Sequence, residues 1–166
     1  KKGVAVVLRS EQLMSDHPCC RIAIKAALLN ERAKVLVSFL RAILKAERYS
    51  QSDDPGHRET TVNDIAKYLH LDKDLVRNAY YGGSLGQTTD PNASGIQKIW
   101  DIMNETKIID SKDDIQNFIE PGPYRAALES LAKEEPDDVF WARALETLNE
   151  RNAVAKGGGR SGTHWH

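Results

Sequence analysis

His17, Cys19 and Cys20 carry the side chains best suited to chemistry in this sequence, within the stretch Asp16-His17-Pro18-Cys19-Cys20, which holds both cysteines and one of five histidines. Thiolates and imidazoles ligate metals, thiols undergo redox exchange, and all three residues can hydrogen-bond a solute. On an extended backbone His17 and Cys19 point one way and Cys20 the other, so the three donors do not converge on one ion. A structural zinc site takes four ligands in two spaced pairs, and a second pair is missing. A disulfide between neighbouring residues is strained, because their Cα atoms lie closer than the usual disulfide span. Three readings follow. The plainest is two small, reduced, buried side chains at a strand start, with the histidine satisfied by backbone; the others are ligand contact, and metal or redox chemistry.

Two further groupings invite a functional reading. Thr61 to Ala79 has the pattern of a helix-turn-helix, with small Ala66 facing the partner helix, a tight turn at His70-Leu71, and Val76 locking the second helix. Its exposed recognition positions are Lys73, Asp74, Arg77 and Asn78, yet Asp72 and Asp74 place carboxylates where phosphates would approach. Tyr80, Tyr81 and Trp100 offer apolar faces with polar tips, which can line a pocket but more often close a helix against a core. A glycine-rich phosphate loop, a nucleophile elbow and a histidine pair at helical metal spacing are all missing. The acidic pairs Asp53-Asp54, Asp113-Asp114 and Asp137-Asp138 fall at expected helix starts, where negative charge favours the helix dipole.

The elements that must position these residues can be read from periodicity. Val4 to Leu8 is a short apolar, β-branched run that suits a buried strand, and Ser10 to Ser15 reads as a turn or short helix. Cys20 to Lys25 alternates, with Ile22 and Ile24 on one face, and predicts a second strand. From Asn30, a plausible cap, to Tyr49, the three-and-four spacing of Leu36, Phe39, Leu40, Ile43 and Leu44 predicts a long amphipathic helix. Asp54-Pro55 starts the next helix, with Val62, Ile65, Ala66 and Leu69 on one face. Asp72 caps another that stops at Gly82-Gly83. Ser84 to Thr89 reads as a loop. Asp90-Pro91 opens a helix bearing Ile96, Ile99, Trp100 and Met103. A short helix near Ile115 to Ile119 closes at Pro121-Gly122-Pro123, and two helices follow, Tyr124 to Glu134 and Asp138 to Arg151, the second packing Trp141, Leu145 and Leu148. Gly157 to His166 reads as a flexible tail or vector-derived scar.

Length and composition fit one globular domain: 166 residues with 40% apolar and 28% charged side chains supply a real core. The net charge of -1 gives no general attraction to nucleic acid or an anionic membrane, so no nucleic-acid partner is expected. Two short strands without a third partner leave ladder groups unpaired, which predicts a sheet completed by chain not present here. The start at Lys1, without a methionine, reads like a fragment, and any targeting segment would then lie upstream.

A resemblance joins several of these features. His17-Pro18-Cys19-Cys20, an alternating segment, the helix Ser38-Phe39-Leu40-Arg41-Ala42-Ile43-Leu44-Lys45-Ala46, and Val62 to Leu71 followed by Asp72-Lys73-Asp74-Leu75-Val76 occur in that order. The order resembles the C-terminal half of periplasmic substrate-binding proteins of ABC importers, of the nitrate/sulfonate/taurine type with its thiamine-precursor-binding relatives, over about Val4 to Asn152. The resemblance implies a two-lobed α/β fold, of which this chain is a mostly helical portion with two short strands near its start. Residues 1–15 would end the second lobe and cross over, 16–152 would form the later part of the first lobe, and 153–166 would be the tail.

It also implies a solute-binding component without enzymatic activity, cofactor or metal, which captures a small anionic or heterocyclic solute and delivers it to an ABC permease. His17, Cys19 and Cys20 would lie on the hinge side of the ligand cleft. The location would be periplasmic or otherwise extracytoplasmic, with a lipid anchor on an upstream segment as one form. Exposed sheet edges would favour a homodimer or strand exchange. The alternatives are a helix-turn-helix DNA-binding regulator and an enzyme resembling those of thiamine-pyrimidine synthesis, which share this receptor fold. The enzyme would hold iron through a cysteine cluster longer than the one in this chain.

Overall fold

Eight α-helices and one 3₁₀ turn make up the regular structure of the computed structural model, which describes residues 7–14, 17–82 and 88–154. In order they are α1 (Ser10–Leu13), α2 (Ala26–Glu31), α3 (Ala33–Ser50), α4 (Pro55–Leu69), α5 (Lys73–Tyr81), α6 (Ala93–Glu105), the 3₁₀ turn Ile115–Phe118, α7 (Gly122–Glu134) and α8 (Val139–Asn152). The chain divides into two compact units, Lys1–Val37 with Asp90–His166, and Ser38–Thr89.

The α/β expectation is overturned: among the described residues there is no strand and no sheet. Cys20 to Lys25, read as a strand from its alternation, is irregular, and Ile22 and Ile24 are 55% and 40% exposed. The physical reason is pairing. A period of two specifies which face a strand would bury, but a lone extended segment has no ladder partner and hydrogen-bonds water instead. Of the other expected strand, Val7 and Leu8 are irregular and Val4 to Val6 lie outside the described residues, as do Asp16, Ser84 to Gln87 and the glycine-rich tail.

In the first unit the core gathers on α7 and α8. Tyr124, Ala127, Leu128 and Leu131 recur at helical spacing on α7 and are buried, and Trp141 and Leu148, seven residues apart, are their counterparts on α8. Burial of each of the leucines among them contributes about 2 kcal/mol against exposure. Four residues connect the helices, and the indole N–H of Trp141 donates to the Glu135 carboxylate in that connection at 3.0 Å. Arg125 donates to Asn149 across the pair at 2.8 Å. Pro121-Gly122-Pro123 does not close the preceding turn as expected; Gly122 and Pro123 lie in the first turn of α7, where a proline has no intrahelical N–H to lose.

The second unit holds most of α3 together with α4 and α5. Leu40 and Leu44, one turn apart on α3, are buried. Val62 and Ala66 of α4 meet Val76 of α5 in a small core flanked by Ile65 and Tyr81. The Tyr81 hydroxyl donates to the Ser50 carbonyl at the end of α3 at 2.8 Å. Asp54 accepts the N–H groups of Gly56 and His57 at 2.7 and 3.1 Å, which holds its carboxyl below the usual range and caps α4 ahead of Pro55. The long helix expected to run to Tyr49 forms as α3, but Asn30 does not cap it: Asn30 lies inside α2, and the break between the two helices falls at Arg32 (φ -127°, ψ 25°).

The α4–α5 turn depends on His70, which sits at φ 55°, ψ 43°, in the left-handed region that glycine occupies without a Cβ penalty. In that conformation the N–H groups of His70 and Leu71 both reach the Ala66 carbonyl. His70→Gly is expected to stabilise the protein by about 1 kcal/mol, the conformational cost of a side chain at this position. Urea denaturation at constant slope measures it; an unchanged or lowered midpoint contradicts the assignment of strain to this residue.

Candidate functional site at Cys19, Cys20 and Arg21

Pro18 disfavours helix before it and no strand forms after it, so no ladder holds the side chains of Cys19 and Cys20 on opposite faces. The consequence reverses the expected divergence of the two thiols. Their Sγ atoms lie 3.6 Å apart, one thiol donating to the other. Both are free and exposed, so they are not the buried packing groups of the plainest reading. The shared hydrogen bond and the neighbouring thiol push the Cys19 pKa up, with Arg21 pulling weakly the other way. His17 is exposed two residues upstream.

Arg21 is the residue that fixes this segment. Its Nε donates to the Pro91 carbonyl at 2.9 Å and one terminal nitrogen to the Cys20 carbonyl at 2.6 Å. Partial burial lowers its pKa, an effect that Asp90 only partly opposes, without bringing a guanidinium near deprotonation. Two of its five N–H donors are used in these bonds.

Behind Arg21 lies a buried polar network at the entrance to α6. Asp90, 2% exposed, accepts the Asn92 N–H at 2.8 Å and the Asn152 amide at 2.9 Å. Asn152, on the last turn of α8, returns its carbonyl oxygen to the Ala93 N–H at 3.0 Å, and its amide also donates to the Leu148 carbonyl at 3.1 Å. Asn92, at φ 55°, caps α6 by accepting the Gly95 N–H at 3.0 Å. The network thus satisfies the Ala93 and Gly95 N–H groups in the first turn of α6 and ties that turn to α8. Burial raises the Asp90 pKa, while Asn152, the Asn92 N–H, Arg151 and Arg21 oppose the rise.

Of the residues expected to matter, the sulfurs of Cys19 and Cys20 come together. Arg21, Asp90, Asn92 and Asn152 were not expected. Asp90-Pro91 does read as a helix start, but the helix begins at Ala93 with Asn92 as cap, and Asp90 instead accepts from Asn152 of α8. Asn152 follows the apolar stripe of α8 and carries no signal in the sequence.

The helix-turn-helix hairpin forms as read, but Arg77 is held by Glu59 at 2.9 Å and Asp74 at 2.6 Å. An open groove of about 390 Å³ beside the turn is lined by Asn63, Ala66, Lys67, Leu71 and Lys73. The second unit carries seven basic (Arg41, Lys45, Arg48, Arg58, Lys67, Lys73, Arg77) and seven acidic side chains (Glu47, Asp53, Asp54, Glu59, Asp64, Asp72, Asp74), so it has no net attraction for phosphates. Tyr80 and Tyr81 pack edge to face at 5.0 Å, and Arg58 lies 5.3 Å from the Tyr81 ring, a packing arrangement. Among the described residues no three histidine, cysteine or acidic side chains are grouped to hold a metal, and no helix is long and apolar enough to cross a membrane. No protein family, curated protein or solved structure matches the chain.

The raised Asp90 pKa has a defined consequence for stability. Its folded value lies above its unfolded one, so its contribution is full below the ordinary carboxylate range and is lost as pH rises through the folded value. Asp90→Asn removes this titration. The stability of the wild type relative to that variant is therefore expected to grow as pH falls from about 7 to about 4. Denaturant titrations of both proteins across this range provide the check; a difference that shrinks on acidification contradicts the burial of the charge.

Proposed function

We propose that this protein is the solute-capture component of an ABC importer, acting outside the cytoplasm, taking a small anionic or heterocyclic solute and handing it to a membrane permease. The reading is carried by the order of sequence features from His17-Pro18-Cys19-Cys20 through Ser38–Ala46 to Val62–Val76, which resembles such receptors. It does not draw on the two-lobed α/β frame, which the helical structure overturns.

Arg21 supports an anionic solute. Two backbone carbonyls hold its guanidinium in place, and a preorganised guanidinium donates to an anion with less loss of freedom than a mobile one. Cys19 and Cys20, exposed beside it, supply polarisable walls, and His17 adds a further hydrogen-bonding group. The assigned role is capture, with no bond made or broken in the solute.

A thermal-shift screen with nitrate, taurine, alkylsulfonates and aminopyrimidines tests the proposal. One class at about 100 times its Kd is expected to stabilise the protein by about 2.7 kcal/mol, with the shift lost in Arg21→Ala. If none of these solutes moves the transition, or if Arg21→Ala leaves the shift intact, the proposed site is wrong.

A further inference from the structure

We infer that Cys19 and Cys20 form a two-sulfur chelate for a three-coordinate thiophile of the trivalent arsenic class. The observation is the 3.6 Å separation of two exposed, free thiols on adjacent residues. That span is too long for a direct bond and suits a bridge of one atom. A disulfide requires about 2.05 Å between sulfurs and usually about 4.4–6.8 Å between Cα atoms, whereas neighbouring Cα atoms are held about 3.8 Å apart. Inserting one atom relaxes the ring. With element–sulfur bonds of about 2.3 Å, the length of a zinc–thiolate bond, a 3.6 Å span closes at an angle of about 100°.

That angle selects among thiophiles. It matches a trigonal pyramid or a tetrahedron and excludes a linear two-coordinate ion. A tetrahedral structural metal draws four ligands from the protein, and among the described residues no group of three histidine, cysteine or acidic side chains is assembled. A pyramidal centre needs two sulfurs and takes its third group from itself or from water. Thiolate donors favour soft acceptors over the hard cations that oxygen ligands bind.

The segment is also preorganised. Arg21 bonds the Cys20 carbonyl and the Pro91 carbonyl, fixing the backbone immediately after the second thiol to the entrance of α6. The two sulfurs therefore meet a ligand with little further ordering. For an organoarsenical oxide the step balances without an oxidant. Two S–H bonds and the arsenic–oxygen bond break, two S–As bonds form, and the oxygen leaves as water with both thiol protons. Arsenic remains trivalent throughout. The chelate uses the thiols that flank the proposed solute site but does not rest on that reading.

Phenylarsine oxide with the reduced full chain is the test. Intact-mass measurement is expected to show one phenylarsenic group per chain after loss of one water. Both thiols should become unreactive, and the adduct should survive excess monothiol but be removed by a small dithiol. Cys19→Ser and Cys20→Ser, both exposed positions, are expected to retain the helical circular dichroism spectrum and to weaken binding by at least about 100-fold, the loss of an intramolecular second bond. Single-cysteine variants that bind as tightly as the wild type overturn the chelate. So does a wild-type adduct that monothiol strips away.

Discussion

The bond between Asp90 and Asn152 holds together parts of the chain 62 residues apart, and the first unit depends on it. A carboxylate this deeply buried is costly unless its oxygens are filled, and here one is filled by the Asn92 N–H and the other by the Asn152 amide. The same Asn152 side chain then serves the Ala93 N–H. One amide thereby closes the circuit between a buried charge and the open end of a helix. Asn92 completes it by capping Gly95 from a left-handed backbone conformation. Because every bond uses a group another bond has oriented, loss of one member exposes the others to the penalty for unpaired buried polar atoms.

The candidate site takes its order from this network. Pro91 lies between Asp90 and Asn92, so its carbonyl has a fixed direction, and Arg21 binds that carbonyl. Arg21 in turn grips the carbonyl of Cys20. A segment without helix or strand of its own is thus positioned through two hydrogen bonds to a single arginine. The thiols can converge because no ladder forces successive side chains to opposite faces.

Much of the helical framework is legible in the sequence, and the reasons are local. Asp54, Asp114 and Asp138 each follow an acidic neighbour and each accepts N–H groups in a first helical turn, as the placement of the acidic pairs implies. Asp72 caps α5, and Trp141 and Leu148 face the core. These signals need only a few neighbouring residues. The strand expected at Cys20 to Lys25 fails because alternation states which face would be buried without stating what would pair with the backbone. Arg21, Asp90 and Asn152 are invisible for a related reason. Their roles exist only between residues far apart in sequence, and an asparagine at the end of a helix looks like any polar terminus. His70 lies between these cases, since its turn is readable but its left-handed backbone is not what a β-carbon favours.

The entrance of α6 is locked to α8 through Asp90 and Asn152, and this lock holds the segment bearing the thiols. Hydrogen exchange of the Asn92, Ala93 and Gly95 amides measures it most directly, since N–H groups at a helix start have no intrahelical acceptor and exchange freely unless a side chain holds them. These three amides are expected to exchange as slowly as the buried backbone of α7 and α8, and the Ala93 amide is expected to lose its protection in Asn152→Ala. Rapid exchange at Ala93 in the wild type, at the rate of a frayed helix start, would contradict it.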